Sequence, residues 1–263
     1  MGAFEPRITV SSLESEGVVL LSYGHPNFGR VFPEQKAPEY DALLPYTVII
    51  WNDTDREITA YSVVWYSTAP DGLVTKKLRT TLPGVNLRPD STQVVSLMLT
   101  LETGGLNVDP STENAIRSLV AFFSKQAAVR ISLEAALFDD GTAIGPDSED
   151  WLTRWKAELD AEKHVFTVAT STPASEVRAV LGQLAEPAIT LARRQSDFQG
   201  RGQLPTLAER STDYAECLEL MKGYFALSVL DELEENRRPV LENIRMILKS
   251  KRYPNVHGKQ PAQ

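Results

Sequence analysis

Five carboxylates crowd residues 138–151, FDDGTAIGPDSEDW: Asp139, Asp140, Asp147, Glu149 and Asp150. Acids at this density can chelate calcium, work as an acid/base pair, or turn the chain and start a helix. An EF-hand loop needs oxygen ligands at alternate positions, Gly at the sixth and a bidentate Glu at the twelfth. Here the two leading aspartates are adjacent, Gly141 follows at once, and no glutamate falls at the twelfth place. A glycosidase pair is defined by the spatial separation of its carboxyl groups, and no local pattern here speaks for one. The third use fits best. Asp140-Gly141 turns the chain, TAIG makes a short return that ends at Pro146, and Asp147 or Ser148 caps a helix. Glu149 and Asp150 then lie in its positive first turn, each contributing about 0.3–1 kcal/mol.

Other chemistry is sparse. The chain has no GxSxG elbow, P-loop, GxGxxG, HExxH or kinase signature. His25, His164 and His257 have no ligand-like spacing. His164 reads as a helix C-cap. Cys217, the lone cysteine, sits in an apolar-periodic stretch and reads as a small core residue. Asn52-Asp53-Thr54 fits a glycosylation sequon, which matters only in a eukaryotic secretory pathway. No catalytic, cofactor-binding or metal-ligating residue is assigned.

Two stretches stand out as surfaces. Residues 22–45, SYGHPNFGRVFPEQKAPEYDALLP, have no clear periodicity and are rich in Pro, Gly and aromatics. Long irregular loops in compact domains are often functional. Tyr23, His25, Asn27, Phe28 and Arg30 form a candidate binding loop. The plainer alternative is a loop that covers a sheet edge or joins two sheets. The second stretch follows Asn236, where seven Lys/Arg stand against one Glu. Val240, Leu241, Ile244, Ile247 and Leu248 make an apolar stripe there. Docking of this helix on a core is favoured, and an anionic membrane surface is the other reading.

The elements that must position these residues change character along the chain. Up to the mid-140s apolar residues alternate. Strands are expected at 17–22, 46–52, 57–67, 73–81, 92–101 and 129–138. Residues 46–52 carry apolar side chains on both faces, so that strand must be covered on both sides. In 129–138, Val129, Ile131, Leu133, Ala135 and Leu137 should face in, opposite Arg130, Ser132 and Glu134. Residues 111–125 interrupt the pattern with helical spacing. The lysines of 73–81 suit an edge strand. From 148 the period is helical, in SEDWLTRWKAELDAEKH, in a segment opening at Thr172-Pro173, in 212–236 and in 238–250. Pro187 should kink or break its helix.

The stretches VIIWNDTDREITAYSVVW (48–65) and SLEAALFDDGTAIGPD (132–147), the latter with an FxDGTxxGPD turn, resemble a pattern in uncharacterised bacterial proteins with an immunoglobulin-like sandwich. The resemblance covers about half the chain and implies a sandwich fold with no known activity. The inter-sheet cysteine pair of antibody domains is missing, and the family supplies no catalytic residues.

The expectation is an α+β protein. An antiparallel immunoglobulin-like β-sandwich at 1–147 precedes an α-helical region at 148–253 and a disordered tail at 254–263. Formal net charge is −8 and the pI about 5.1. That balance disfavours nucleic acid, whose phosphates repel it. No apolar run is long enough for a transmembrane helix. MGAFEPRITVSS lacks the basic-then-apolar order of a signal peptide. The expectation is therefore a cytoplasmic chain, or an exported one whose leader has been removed. The leading functional reading is a non-catalytic interaction or scaffold protein that binds another protein and needs no cofactor. The alternatives are a hydrolase with an unrecognised acidic site and a peripheral membrane or envelope-associated protein. Oligomeric state is left open.

Overall fold

The computed structural model describes residues 6–31, 38–81, 85–97, 110–148, 150–195, 198–234, 240–250, 253 and 257–258. Two compact units result: Met1–Asp139 with Ala143–Pro146, and Asp140–Thr142 with Asp147–Gln263.

The first unit holds two sheets. In the larger, β4 (Ile58–Thr68) lies between β5 (Val74–Thr81) and β7 (Ala128–Phe138). Two short strands share the other edge of β7: β1 (Arg7–Ser11) pairs with residues 128–132, and β8 (Thr142–Ile144) with 136 and 137. The smaller sheet is β2 (Val18–Ser22), β3 (Val48–Asn52) and β6 (Ser91–Val95), all antiparallel. Its far continuation toward residue 101 lies outside the described residues. Both sheets feed one core. Val18, Leu20, Val48, Ile50 and Val95 from the smaller meet Tyr61, Val63, Trp65, Val129, Ile131 and Leu133 from the larger. Ile116 and Phe123 of α2 (Pro110–Phe123) join them.

Two strand expectations need correction. The larger sheet is mixed, because β1 runs parallel to β7. The alternation of β7 also inverts halfway. Ser62 pairs with Ala135 but Val63 with Leu133, which leaves Glu134 as an extra residue in the ladder. A bulge of this kind moves every later side chain to the opposite face. Beyond it, Ala136 and Phe138 enter the shared core in place of Ala135 and Leu137. Ser132 and Glu134, expected to face out, are buried. Gly145 sits against this bulge at φ +115°, where a Cβ would lie 2.3 Å from the Glu134 carbonyl oxygen. Only glycine fits there.

The second unit is helical: α3 (Trp151–Ser171), α4 (Val177–Arg193), α5 (Leu204–Arg210), α6 (Tyr214–Glu234) and α7 (Val240–Ser250). Helix α6 packs on α3, α4 and α5, and α7 on α3 and α6. The core is made by small and medium apolar residues, among them Ala161, Val165, Leu181, Leu220, Met221 and Ile244. Alanine and glycine let α4 and α6 approach closely. A Cβ on Gly223 would lie 2.2 Å from that of Ala188.

Helix limits differ from expectation in four places. Helix α3 begins at Trp151, so no acid lies in its first turn. It also runs on through the β-branched stretch after His164, because Val165 and Ala169 continue its buried stripe. His164 is thus an exposed mid-helix residue and not a C-cap. Thr172 ends α3 instead of starting α4. Pro187 stands inside α4 without breaking it, since burial of Ala185 and Ala188 on either side outweighs one missing backbone hydrogen bond. In the tail, His257–Gly258 form a two-residue strand.

Candidate binding surface

The loop after β2 is built from a local turn. The His25 amide donates to the Ser22 carbonyl at 2.9 Å, and the Phe28 amide to the His25 carbonyl at 2.9 Å. The Asn27 amide donates to His25 Nδ1 at 3.2 Å, and the Arg30 amide to the Asn27 carbonyl at 3.2 Å. These bonds hold the one-turn helix α1 (Phe28–Val31) against the sheet. Phe28 is 3% exposed and packs with Leu21 and Ile49, flanked by Val19, Leu44 and Val94. That is the outer face of the smaller sheet. The second apolar face of 46–52 is thus covered by this loop. Further along, Leu43 and Tyr46 turn into the main core. There Tyr46 stacks on Phe123 at 4.4 Å and accepts the Trp65 indole N–H on its carbonyl at 2.8 Å.

The five loop residues therefore separate into two roles. Phe28 is an anchor, closed to any ligand. Tyr23, His25, Asn27 and Arg30 remain exposed around it. Tyr23 is 52% exposed and rests edge-on against Phe28, with centroids 5.5 Å apart and rings at 87°. An aromatic ring braced this way loses little rotamer freedom when it is bound.

Other candidate groups have structural occupations. The Thr142 amide donates to Asp140 Oδ1 at 2.8 Å, closing the turn at Gly141 (φ +87°). Asp147 Oδ1 accepts from the Trp151 amide at 2.6 Å and the Leu152 amide at 3.3 Å, capping α3 from outside. Burial raises the Asp147 carboxyl above its ordinary value despite these two amides, which pull the other way. Glu149 lies outside the described residues. Asn52 of the sequon is fully buried. Its Nδ2 donates to the Arg56 carbonyl at 2.7 Å and the Leu87 carbonyl at 2.9 Å, and its Oδ1 accepts from Thr54 Oγ1 at 2.7 Å. The Asn-Asp-Thr pattern thus serves the β3–β4 connection and is closed to a glycan. Cys217 is buried, and burial pushes its thiol up, away from the nucleophilic thiolate. Among the described residues no group of His, Cys, Asp or Glu is arranged to hold a metal ion. No described helix is long and apolar enough to cross a membrane.

One polar cluster escaped the sequence reading. Asp160 Oδ2 accepts from Lys156 Nζ at 2.6 Å and from the Tyr214 hydroxyl at 2.6 Å, tying α3 to α6. Burial pushes the Asp160 carboxyl up, but the lysine and the phenol together bring it below its ordinary value. The i,i+4 spacing of Lys156 and Asp160 was legible; Tyr214, 54 residues on, was not. The chain matches no protein-family model, no curated protein and no solved structure.

Proposed function

We propose that the chain is a non-catalytic interaction protein. Its first unit is an immunoglobulin-like sandwich that presents Tyr23, His25, Asn27 and Arg30 to a partner protein. One observation carries the binding reading: a buried Phe28 fixes the loop, and the polar and aromatic side chains around it stay in solvent. Tyr and Arg dominate binding energy at interfaces, and a pre-set loop lowers the ordering cost.

Strand order supports the sandwich reading. The order β2-β3-β6 corresponds to A-B-E of an immunoglobulin-type fold, and β5-β4-β7-β8 to C′-C-F-G. The connection from E to F then carries α2. Trp65, fully buried on β4, occupies the strand position at which such domains place a core tryptophan. Against the hydrolase alternative, Asp140 Oδ1 and both Asp147 oxygens already serve local turns by accepting backbone amides.

The test compares the full chain with Y23A/R30E as bait in extracts of the source cell. The expected result is a captured protein that the variant loses, with the unfolding midpoint unchanged. Identical capture by both proteins would remove the loop from the function.

A further inference from the structure

The turn that sets the loop after β2 is capped by a titratable side chain. Pro26 has no amide hydrogen, so the Asn27 amide is the first donor after His25. His25 Nδ1 accepts it at 3.2 Å. One residue on, the Phe28 amide donates to the His25 carbonyl at 2.9 Å, and α1 begins. His25 thus does with a ring nitrogen what Asn or Asp does with a side-chain oxygen in an Asx turn. An amide can only donate. The bond therefore requires a bare Nδ1, which leaves the hydrogen of the neutral ring on Nε2.

Protonation removes this cap. Both nitrogens of an imidazolium are donors, so the Nδ1 hydrogen would face the Asn27 amide hydrogen. Turning the ring over presents a carbon instead, and no orientation restores an acceptor. Among the described residues no acid or cation hydrogen-bonds or ion-pairs with the ring. The side chains packed around Phe28 from β2, β3, β6 and Leu44 are apolar. Arg30 is the one Lys, Arg, Asp or Glu within 17–31. No carboxylate of the loop therefore offsets a charge gained by His25.

We propose that His25 is a proton-sensitive cap for the exposed rim of Tyr23, Asn27 and Arg30. The neutral ring holds Asn27 in the turn, and the protonated ring releases it. Phe28 stays buried in both states, because its packing involves no titrating group. The loop remains on the sheet while its rim loosens. The use of this device rests on the binding reading above: a partner meets an ordered rim near neutral pH and a loosened one in acid.

Nitrogen-15 NMR of the full chain tests the cap without any partner. Histidine changes charge between about pH 5 and 8, so spectra near pH 7.5 and pH 5.5 bracket the change. At the higher pH the ring is expected as the Nε2–H tautomer. On acidification the exchange protection of the Asn27 amide, corrected for intrinsic rates, should fall about two- to tenfold. Amides of β2 and β3 should keep theirs. His25→Asn retains an acceptor and should hold the protection at both pH values, whereas His25→Ala should show the low value at both. An Nδ1–H tautomer near pH 7.5 would overturn the inference. So would unchanged Asn27 protection, an equal fall in His25→Asn, or a fall shared by β2 and β3. A failed search for a partner and a failed cap are thus separate results.

Discussion

Individual side chains explain why sequence motifs and structural roles part company. Asn52 looks like a glycan acceptor in one dimension and is a buried bracket in three. Its amide is a second donor to the Arg56 and Leu87 carbonyls, and its Oδ1 accepts from the Thr54 amide and hydroxyl inside the turn. Leaving such groups unpaired costs more than the bonds themselves are worth. Asn52→Ala should therefore destabilise the protein by about 1–3 kcal/mol, measured by urea unfolding. Asp147 makes a different prediction, in pH. Its folded carboxyl titrates above the ordinary 3.8 because it is buried. Between those two values the folded chain holds a proton that the unfolded chain has released. Stability from this group is therefore full below the unfolded value and falls as pH rises through the raised one. Asp147→Asn keeps an acceptor for the Trp151 amide and removes the titration. The difference in unfolding free energy between wild type and variant should shift against the wild type as pH rises through that window. A flat difference would contradict the burial argument.

Secondary-structure elements show what periodicity can carry. Strands β2 to β4 and β7 were legible because each repeats apolar residues over at least two positions per face, β5 as a lysine-bearing edge strand, and β6 as the start of the alternating stretch 92–101. The two-sided covering of 46–52 was legible as well. Its cover was not, since Phe28 reaches Ile49 and Val94 only in space. Strand β1 escaped because Ile8 and Val10 are its whole apolar signal and both are only partly buried. Strand β8 has three residues, too short for any period, and was legible only as the short return TAIG after the Asp140-Gly141 turn. The bulge at Glu134 left no mark in the sequence, so the inward positions read correctly as far as Leu133 and wrongly beyond it. Glycines in the helices allow a paired prediction. Gly223 faces Ala188 with no room for a methyl group, whereas Gly182 on α4 has open space around it. Gly223→Ala should cost about 1–3 kcal/mol through overpacking. Gly182→Ala should stabilise by about 0.5–1 kcal/mol through helix propensity. Thermal melts of the two variants should move in opposite directions.

At the level of the whole molecule, the change of period near residue 147 separates a sheet core from a helical core. Each core is closed by its own side chains. The net charge of −8 and pI of about 5.1 place minimum solubility near pH 5 and predict no affinity for duplex DNA at physiological salt. Fluorescence anisotropy with labelled duplex checks the latter, and tight salt-sensitive binding would contradict it. The central claim is that the chain works by presenting the rim around Phe28 to another protein. Site-specific photo-crosslinking in the source cell tests it most directly, with a photoreactive residue at His25 and, as control, at Gln183 on the exposed side of α4. The account predicts a discrete crosslinked protein from position 25 that position 183 does not give. No crosslink at 25, or the same products from both positions, would contradict it.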